Sequence, residues 1–275
     1  MPVLFISRGS MSGVYQVVKC LEEETGIRCI SHESLVTRID RHGEIASRVV
    51  RELDKAVPNY DRFSTLRWSY LVLLRQALLE EIVEGNAVYH GYSAHFLLPT
   101  LQHFVRVRID APLELRVKMT MERLQCNENE ARSYITAADE ERVNWARLMY
   151  CRDIRDPRFY DLHLNLGHMS LKAVCGFLER ALAEDEFQMI PETGMQVEKL
   201  LFEATVEAAL VSDPRTCEYE ISAKLEGSRI DLFGPYLDKE KMTPVIEIAS
   251  GVSGVDDVSY NPGYAPAMDT LDMIS

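Results

Sequence analysis

No apolar stretch of this 275-residue chain approaches the roughly 20 residues needed to cross a bilayer, so no membrane span is expected. No C-x-x-C pair occurs. The six cysteines, Cys20, Cys29, Cys126, Cys151, Cys175 and Cys217, are scattered and are expected to be free and mostly buried. The seven histidines form no H-E-x-x-H or similar cluster, so no dedicated metal site is expected. There is no basic excess either: 30 Lys and Arg face 43 Asp and Glu, a net charge of -13, which argues against a nucleic-acid partner. The opening Met-Pro and the strand-like run after it lack a basic leader and a small-residue cleavage site, so a cytoplasmic protein is expected.

What is present is an ordinary globular composition with its charge unevenly placed. Residues 184–275 carry 19 acidic and 6 basic side chains, whereas residues 1–183 carry 24 of each. The whole excess sits on the last third, which marks a composition boundary near residue 184. The first part alternates two kinds of signal. Apolar runs predict strands at Val3–Ser7, Arg28–Ile30, Ala87–His90, Val105–Ile109 and Asp161–Asn165. Between them, helical patterns cover about 12–25, 43–56, 64–84, 112–124, 128–150 and 170–183, with Leu71, Leu74, Leu78 and Ile82 marking one apolar helix face. Alternating units of this kind predict a five-stranded parallel sheet covered by helices.

Pro191, Gly194 and their polar neighbours read as a linker. A helix over Val197–Leu210 follows, then a hairpin of Glu218–Leu225 and Arg229–Phe233 around Gly227-Ser228. A helix over 238–250 and a short strand over Val255–Tyr260 complete a small α+β unit. The expected domains are therefore residues 1–186 and 195–260, with a mobile tail over 261–275.

The first strand runs into Arg8-Gly9-Ser10-Met11-Ser12-Gly13, and a helical pattern starts at about Ser12. Strand, glycine loop and helix is the layout that gathers backbone N–H groups around a phosphate. The full signature, G-x-x-x-x-G-K-[ST], is incomplete here. Val14 stands where the lysine belongs and Tyr15 where the hydroxyl belongs.

The segment between the fourth and fifth strands is rich in arginine: Arg116, Arg123, Arg132, Arg142, Arg147, Arg152, Arg155 and Arg158. Arg142, Arg147 and Arg152 recur every five residues, too wide for one stripe on a straight helix. A helix, a break and a loop bring them together on one anion only if the chain folds back, and spacing alone favours a solvated face paired with Glu128, Glu130, Asp139, Glu140 and Glu141. Gly91-Tyr92-Ser93-Ala94-His95 approaches the G-x-S-x-G turn of serine hydrolases but ends in histidine. His32 and His95 have acid–base chemistry available, though a lone histidine is more often structural. Met119, Met121, Met149 and Met169 read as core fillers.

Taken in order, these segments resemble the cytidylate kinase-like family, a branch of the P-loop nucleoside monophosphate kinases. The match rests on Ile6-Ser7-Arg8 with Ser12-Gly13, on Glu84 to Val88 with Gly91 and Ala94-His95-Phe96, and on Arg106 to Ile109 followed by Ala111 to Arg116. It continues through Glu128 to Ile135 with Asp139 and Arg142, then Asp156-Pro157, Tyr160-Asp161 and Leu164-Asn165. The resemblance implies phosphoryl transfer from ATP, with Mg2+, to a (d)CMP-type acceptor. It implies that Arg8, Gly9, Ser10, Ser12, Gly13 and Arg123 bind the donor. Arg142, Arg147 and Arg152 would act as lid arginines, with Asp139 orienting one of them. The acceptor would lie between the 31–70 helices and the sheet edge.

Departures from the family pattern are specific. Met11 and Val14 occupy positions where small residues are usual, Tyr92 replaces an arginine, and an acidic residue near Ser31 is absent. They support an alternative, a catalytically degenerate nucleotide-binding or scaffold protein. The C-terminal unit resembles the BON domain through Glu203 to Leu210, Ile230 to Gly234 and Ala249 to Val258. That resemblance implies a protein partner or small ligand for this unit; a homo-oligomer is also compatible with the chain.

Overall fold

A computed structural model describes residues 2–40, 43, 45–48 and 65–263. Within them the backbone separates into two compact units. One comprises Met1–Glu33, Glu84–Phe96 and Thr100–Ile190; the other comprises Ser34–Val83, Leu97–Pro99 and Pro191–Ser275.

The first unit is built on a parallel sheet of β1 (Val3–Arg8), β2 (Arg28–Ser31), β3 (Ala87–Gly91), β4 (Phe104–Asp110) and β5 (Leu162–Asn165), in the order β2-β3-β1-β4-β5. β1 lies in the middle, and all six of its residues are buried, as expected of a parallel strand covered on both faces. Every expected strand is present within a residue or two. The flanking helices are α1 (Val14–Thr25), the start of α2 (His32–Asp40), α4 (Leu113–Leu124), α5 (Glu128–Tyr150) and α6 (Leu171–Ala183).

Val14, Val17, Val18 and Leu21 give α1 an apolar stripe that packs with Val174, Cys175 and Leu178 of α6 on β1 and β4. Two glycines in left-handed conformations, Gly13 and Gly26, bound α1. α5 opens with a reciprocal cap: Asn127 accepts from the Glu130 N–H, and Glu130 accepts from the Asn127 N–H.

Two features differ from expectation here. Residues 32–40 form a helix of their own, for which the sequence pattern sets no bounds. Cys20 and Cys175 are joined by a disulfide between α1 and α6, not free. No spacing rule links two cysteines 155 positions apart, so only the fold pairs them. Of the helix expected over 43–56, residues 45–48 are helical, residue 43 is not, and residues 44 and 49–56 lie outside the described residues, as does the tail beyond residue 263.

The second unit holds α3 (Thr65–Ile82), α7 (Pro191–Ser212) and α8 (Lys239–Ser250), with a three-stranded sheet of β6 (Ser222–Glu226), β7 (Arg229–Gly234) and β8 (Asp257–Pro262). β6 pairs antiparallel and β8 parallel to β7, so the C-terminal order is αββαβ. The expected linker at Pro191 and Gly194 is instead the first turn of α7. Proline fits there because the first helical N–H has no intrahelical partner. α3 is buried at Val72, Leu73, Leu74, Ala77, Leu78, Leu79 and Ile82, more than one face, and within this unit it packs on α7. No helix among the described residues is long and apolar enough to cross a membrane.

Candidate functional site

The loop between β1 and α1 sits at the C-terminal edge of the sheet and opens on a cleft of about 940 Å³. Arg8, Gly9, Ser10, Met11, Ser12, Gly13, Tyr15, Arg123 and Arg142 all line it. Neither Met11 nor Tyr15 fills the space: both stand on its wall, and Tyr15 is half exposed.

Local geometry explains the loop. Gly13 has φ +82°, and a Cβ there would lie 2.9 Å from Leu166 Cδ1, so a side chain is strained in the backbone and forces Leu166 to shift. Met11 also sits at positive φ, +54°, a strained state for a residue with a side chain. With the chain held this way, the N–H groups of Met11, Ser12, Gly13, Val14 and Tyr15 have no hydrogen-bond partner among the described residues. The hydroxyls of Ser10 and Ser12 are buried and unpartnered too. Five amides and two hydroxyls pointing nowhere at the N-terminus of a helix make an anion cradle.

Two amides of the loop are taken. Gly9 N–H donates to Ile109 O, and Ser10 N–H donates to Asp139 Oδ1 at 3.3 Å. Asp139 is in turn gripped by Arg116 of α4, at 2.7 and 2.8 Å, and Arg116 Nε donates to Ser10 O at 2.6 Å. Arg142 Nη1 donates to Arg8 O at 3.1 Å. α4 and α5 thus clamp the loop from its open side. Asp139 serves this clamp, and its arginine is Arg116, not one of the three expected.

Of those three, Arg142 alone lines the cleft. Arg147 pairs with Asp153 at 2.8 Å and is half exposed, and Arg152 lies over the Phe159 ring. Arg132, Arg155 and Arg158 pair with neighbouring carboxylates on the surface. A left-handed residue at Cys151 ends α5 and turns the chain, but it does not bring Arg147 and Arg152 onto Arg142's anion. Arg132, Arg147, Arg155 and Arg158 are solvated, as spacing favours, but of their carboxylate partners Glu114, Glu128, Asp153 and Asp156 only Glu128 is among those expected.

Residues that spacing did not reveal complete the site. Glu33, in the first turn of α2, accepts from Arg8 Nη2 at 2.6 Å. The Arg8 guanidinium lies 4.8 Å from the Tyr15 ring centre, and Tyr15 meets His90 of β3 edge-on. Arg142 lies 4.7 Å from the ring centre of Tyr92, which packs on His32 and Trp145. Burial, with help from Arg8, pushes both His32 and His90 down to about 4, so both are neutral near pH 7. Burial also lowers Arg142. Each of these contacts joins different elements, and only the α2 turn carried a local signal, an acidic residue at a helix start.

Ser93 has φ +56°, a sharp turn after β3, but its hydroxyl is buried against Ser7 Oγ at 2.8 Å. His95 is buried among Phe5, Phe96 and Tyr160 and is pushed down to about 3 by that burial. Neither group reaches solvent, so the hydrolase turn has no nucleophile.

A family model described as the cytidylate kinase-like family matches residues 3–168. A cytidylate kinase of Ignicoccus hospitalis is 27% identical over 184 residues, which cover 66% of this chain and 99% of that protein. Among solved structures, an uncharacterized protein from Eubacterium ventriosum aligns with 18% identity and a TM-score of 0.49, over 66% of this chain and 98% of that one. A shikimate kinase from Bacteroides thetaiotaomicron aligns with 13% identity and a TM-score of 0.39, over 66% and 99%.

Proposed function

The chain belongs to the cytidylate kinase-like family, and on that premise we propose that it transfers the γ-phosphoryl group of ATP to a nucleoside monophosphate of the (d)CMP type. The observation that carries this reading is the row of unpartnered N–H groups from Met11 to Tyr15 facing an open cleft. Transfer of this kind is chiefly positioning and charge neutralisation. An acceptor phosphate oxygen bonds to the γ-phosphorus as its bond to the β-phosphate oxygen breaks, and the electron pair leaves with ADP. The loop amides and the Ser10 and Ser12 hydroxyls hold the donor, while Arg123 and Arg142 supply positive charge from the cleft walls.

The donor set fits ATP better than it fits a protein-held magnesium ion. The position that would offer a metal-binding hydroxyl is Tyr15, whose ring covers Arg8. The carboxylates nearest the loop, Glu33, Asp110 and Asp139, are each tied to an arginine. A magnesium ion would therefore come with the nucleotide's own phosphates and waters.

A second reading, a nucleotide-binding protein without turnover, is favoured by Val14. Its side chain is buried in the core beneath the loop, so no lysine-like group reaches the phosphates from there. The BON-like character of the C-terminal unit, with a protein or small-ligand partner, belongs to either reading and rests on the αββαβ order alone.

Release of ADP, followed by a coupled assay at micromolar protein with CMP, dCMP, UMP and AMP, separates the two. The kinase reading expects turnover with at least one acceptor. ATP binding with no turnover above background for any of them establishes the second reading.

A further inference from the structure

Away from the cleft, one cluster of side chains has no part in the reading above. Among the described residues, Cys20, Cys175 and Glu179 are the one set of three or more histidine, cysteine, aspartate or glutamate residues whose ligand atoms all lie within 4.8 Å of one another. Cys20 comes from α1. Cys175 and Glu179 come from α6, where a separation of four residues puts them on one helix face. Cys175 is buried, whereas Cys20 and Glu179 are half-buried, so the cluster has one side on the core and one toward solvent. Cys175 and Glu179 lie beyond the residues that the family model matches.

The contacts inside this cluster are unfinished in the disulfide form. Glu179 Oε1 lies 3.4 Å from Cys175 Sγ, yet a sulfur in a disulfide carries no proton to donate to it. Reduction gives Cys175 a thiol that donates to the carboxylate. Removing both thiol protons would then set three negative charges side by side, a repulsion that disfavours the dithiolate. A divalent cation reverses that balance, because it displaces the two protons and offsets two of the three charges. Two thiolates and a carboxylate match the ligand types of zinc, whereas magnesium and calcium take oxygen ligands. Zinc with three protein ligands, about 2.0–2.3 Å away, takes a water in its fourth position. The half-buried side of the cluster admits that water.

We propose that Cys20, Cys175 and Glu179 form a redox-gated zinc site between α1 and α6: the reduced chain binds one Zn2+ through both sulfurs and the carboxylate, and the disulfide form binds none. The gate is thiol–disulfide exchange with a small-molecule disulfide such as oxidised glutathione. Cys20, the more exposed of the two cysteines, attacks that disulfide as a thiolate and displaces one small thiolate. The Cys175 thiolate then attacks the mixed disulfide at the Cys20 sulfur and displaces the second. The two protein sulfurs are oxidised, the two sulfurs of the small disulfide are reduced, and Zn2+ leaves for solvent as its thiolates are consumed. α1 and α6 stay fastened to each other in both states, by the metal in one and by the bridge in the other. Only the reduced, metal-free chain lacks the fastening.

Zinc titration of the full chain tests it, with the protein reduced by a phosphine and binding followed by competition with a chromophoric chelator. One Zn2+ per chain is expected for the reduced protein, and Co2+ in its place should give sulfur-to-cobalt charge-transfer absorption. Cys175→Ser and Glu179→Gln each weaken binding by at least about tenfold, the loss that follows even from removing a ligand's supporting hydrogen bond. Cys151→Ser and Cys217→Ser, which change cysteines outside the cluster, bind as wild type. Zn2+ raises the melting temperature of the reduced wild type and leaves that of the oxidised one in place. Oxidised glutathione added to the loaded protein releases the metal and restores the Cys20–Cys175 bridge, read by peptide mapping. The proposal is overturned if the reduced wild type binds Zn2+ no better than Cys175→Ser, if the oxidised protein binds it equally well, or if Glu179→Gln leaves the affinity unchanged. Reduced and oxidised wild type carry the same sequence, so their comparison decides the matter even where a variant fails to fold.

Discussion

Gly13 carries more of the site than any charged residue. Its φ of +82° turns the chain between Ser12 and Val14, and a Cβ at this position would meet Leu166 Cδ1 at 2.9 Å. Gly13→Ala forces a side chain into left-handed backbone, at a strain of about 1–2 kcal/mol before the Leu166 clash is added. The expected result is a lower melting temperature and ATP affinity reduced at least about tenfold by calorimetry. Unchanged affinity would show that the loop conformation does not matter to the donor. The glycine was legible in the sequence because a strand, a glycine and a helix pattern follow in order. The arginine–tyrosine pairs were not, because Arg142 and Tyr92 are 50 positions apart and meet only once α5 folds over the end of β3. Tyr15 and Tyr92 look like lost function in the sequence; in the fold they are platforms for two cations.

Among the elements, α7 meets the sheet edge in an unusual way. β6 is an edge strand, and its Ala223 and Leu225 N–H groups point away from β7. Glu207 accepts from Ala223 at 2.9 Å and Glu203 from Leu225 at 3.0 Å. Both carboxylates are almost fully buried. Burial raises Glu207 above the usual carboxylate range, against the pull of Arg75 of α3, 3.2 Å away. The edge that would otherwise recruit another strand is thereby closed. Glu207→Leu removes the buried carboxylate that faces Arg75 and accepts from the Ala223 N–H, and a loss of about 3–5 kcal/mol in denaturant unfolding is expected. The double variant Arg75→Met with Glu207→Leu recovers most of it. Equal losses in the single and double variants would show that the pair contributes nothing beyond packing.

This element also marks where the sequence reading ran short. Strands buried on both faces, such as β1 and β3, announce themselves as short apolar runs, and the edge strands β2 and β5, only partly buried, were visible too. The apolar stripe Leu71, Leu74, Leu78 and Ile82 on α3 was visible as well. That α3 is buried more widely depends on α7, more than 100 residues later, and no local period encodes that partner. Pro191 and Gly194 read as a linker because their usual role is to break helices, yet proline in a first turn breaks nothing.

For the whole molecule, stability should depend on acid through the buried histidines. His32 and His90 are held at about 4 and His95 at about 3, against 6.5 for an exposed histidine, with burial the main cause in each. The unfolded chain takes up these protons from about pH 6.5 and the folded chain only at the lower values. Their contribution is therefore intact above 6.5 and is lost as pH falls through the window. Each histidine adds about 1.4 kcal/mol per pH unit to the slope there. Melting temperature measured from pH 7 to 5 should fall steadily, and His90→Gln should flatten the fall. A flat profile across that range would mean these histidines are not held neutral. The net charge of -13 gives no hint of this behaviour, because the acidic excess lies after residue 183 and the histidines before it.

The central claim is that the turn from β1 into α1 offers unpaired amides to a donor's phosphates although no lysine stands beside them. An amide-resolved NMR titration of the isotope-labelled protein with ATP tests it most directly. The largest shifts should fall on the N–H signals of Met11 through Tyr15, with smaller ones at Arg8 and Arg142 and none in β6–β8. Saturable ATP binding that leaves those five signals in place would contradict the account.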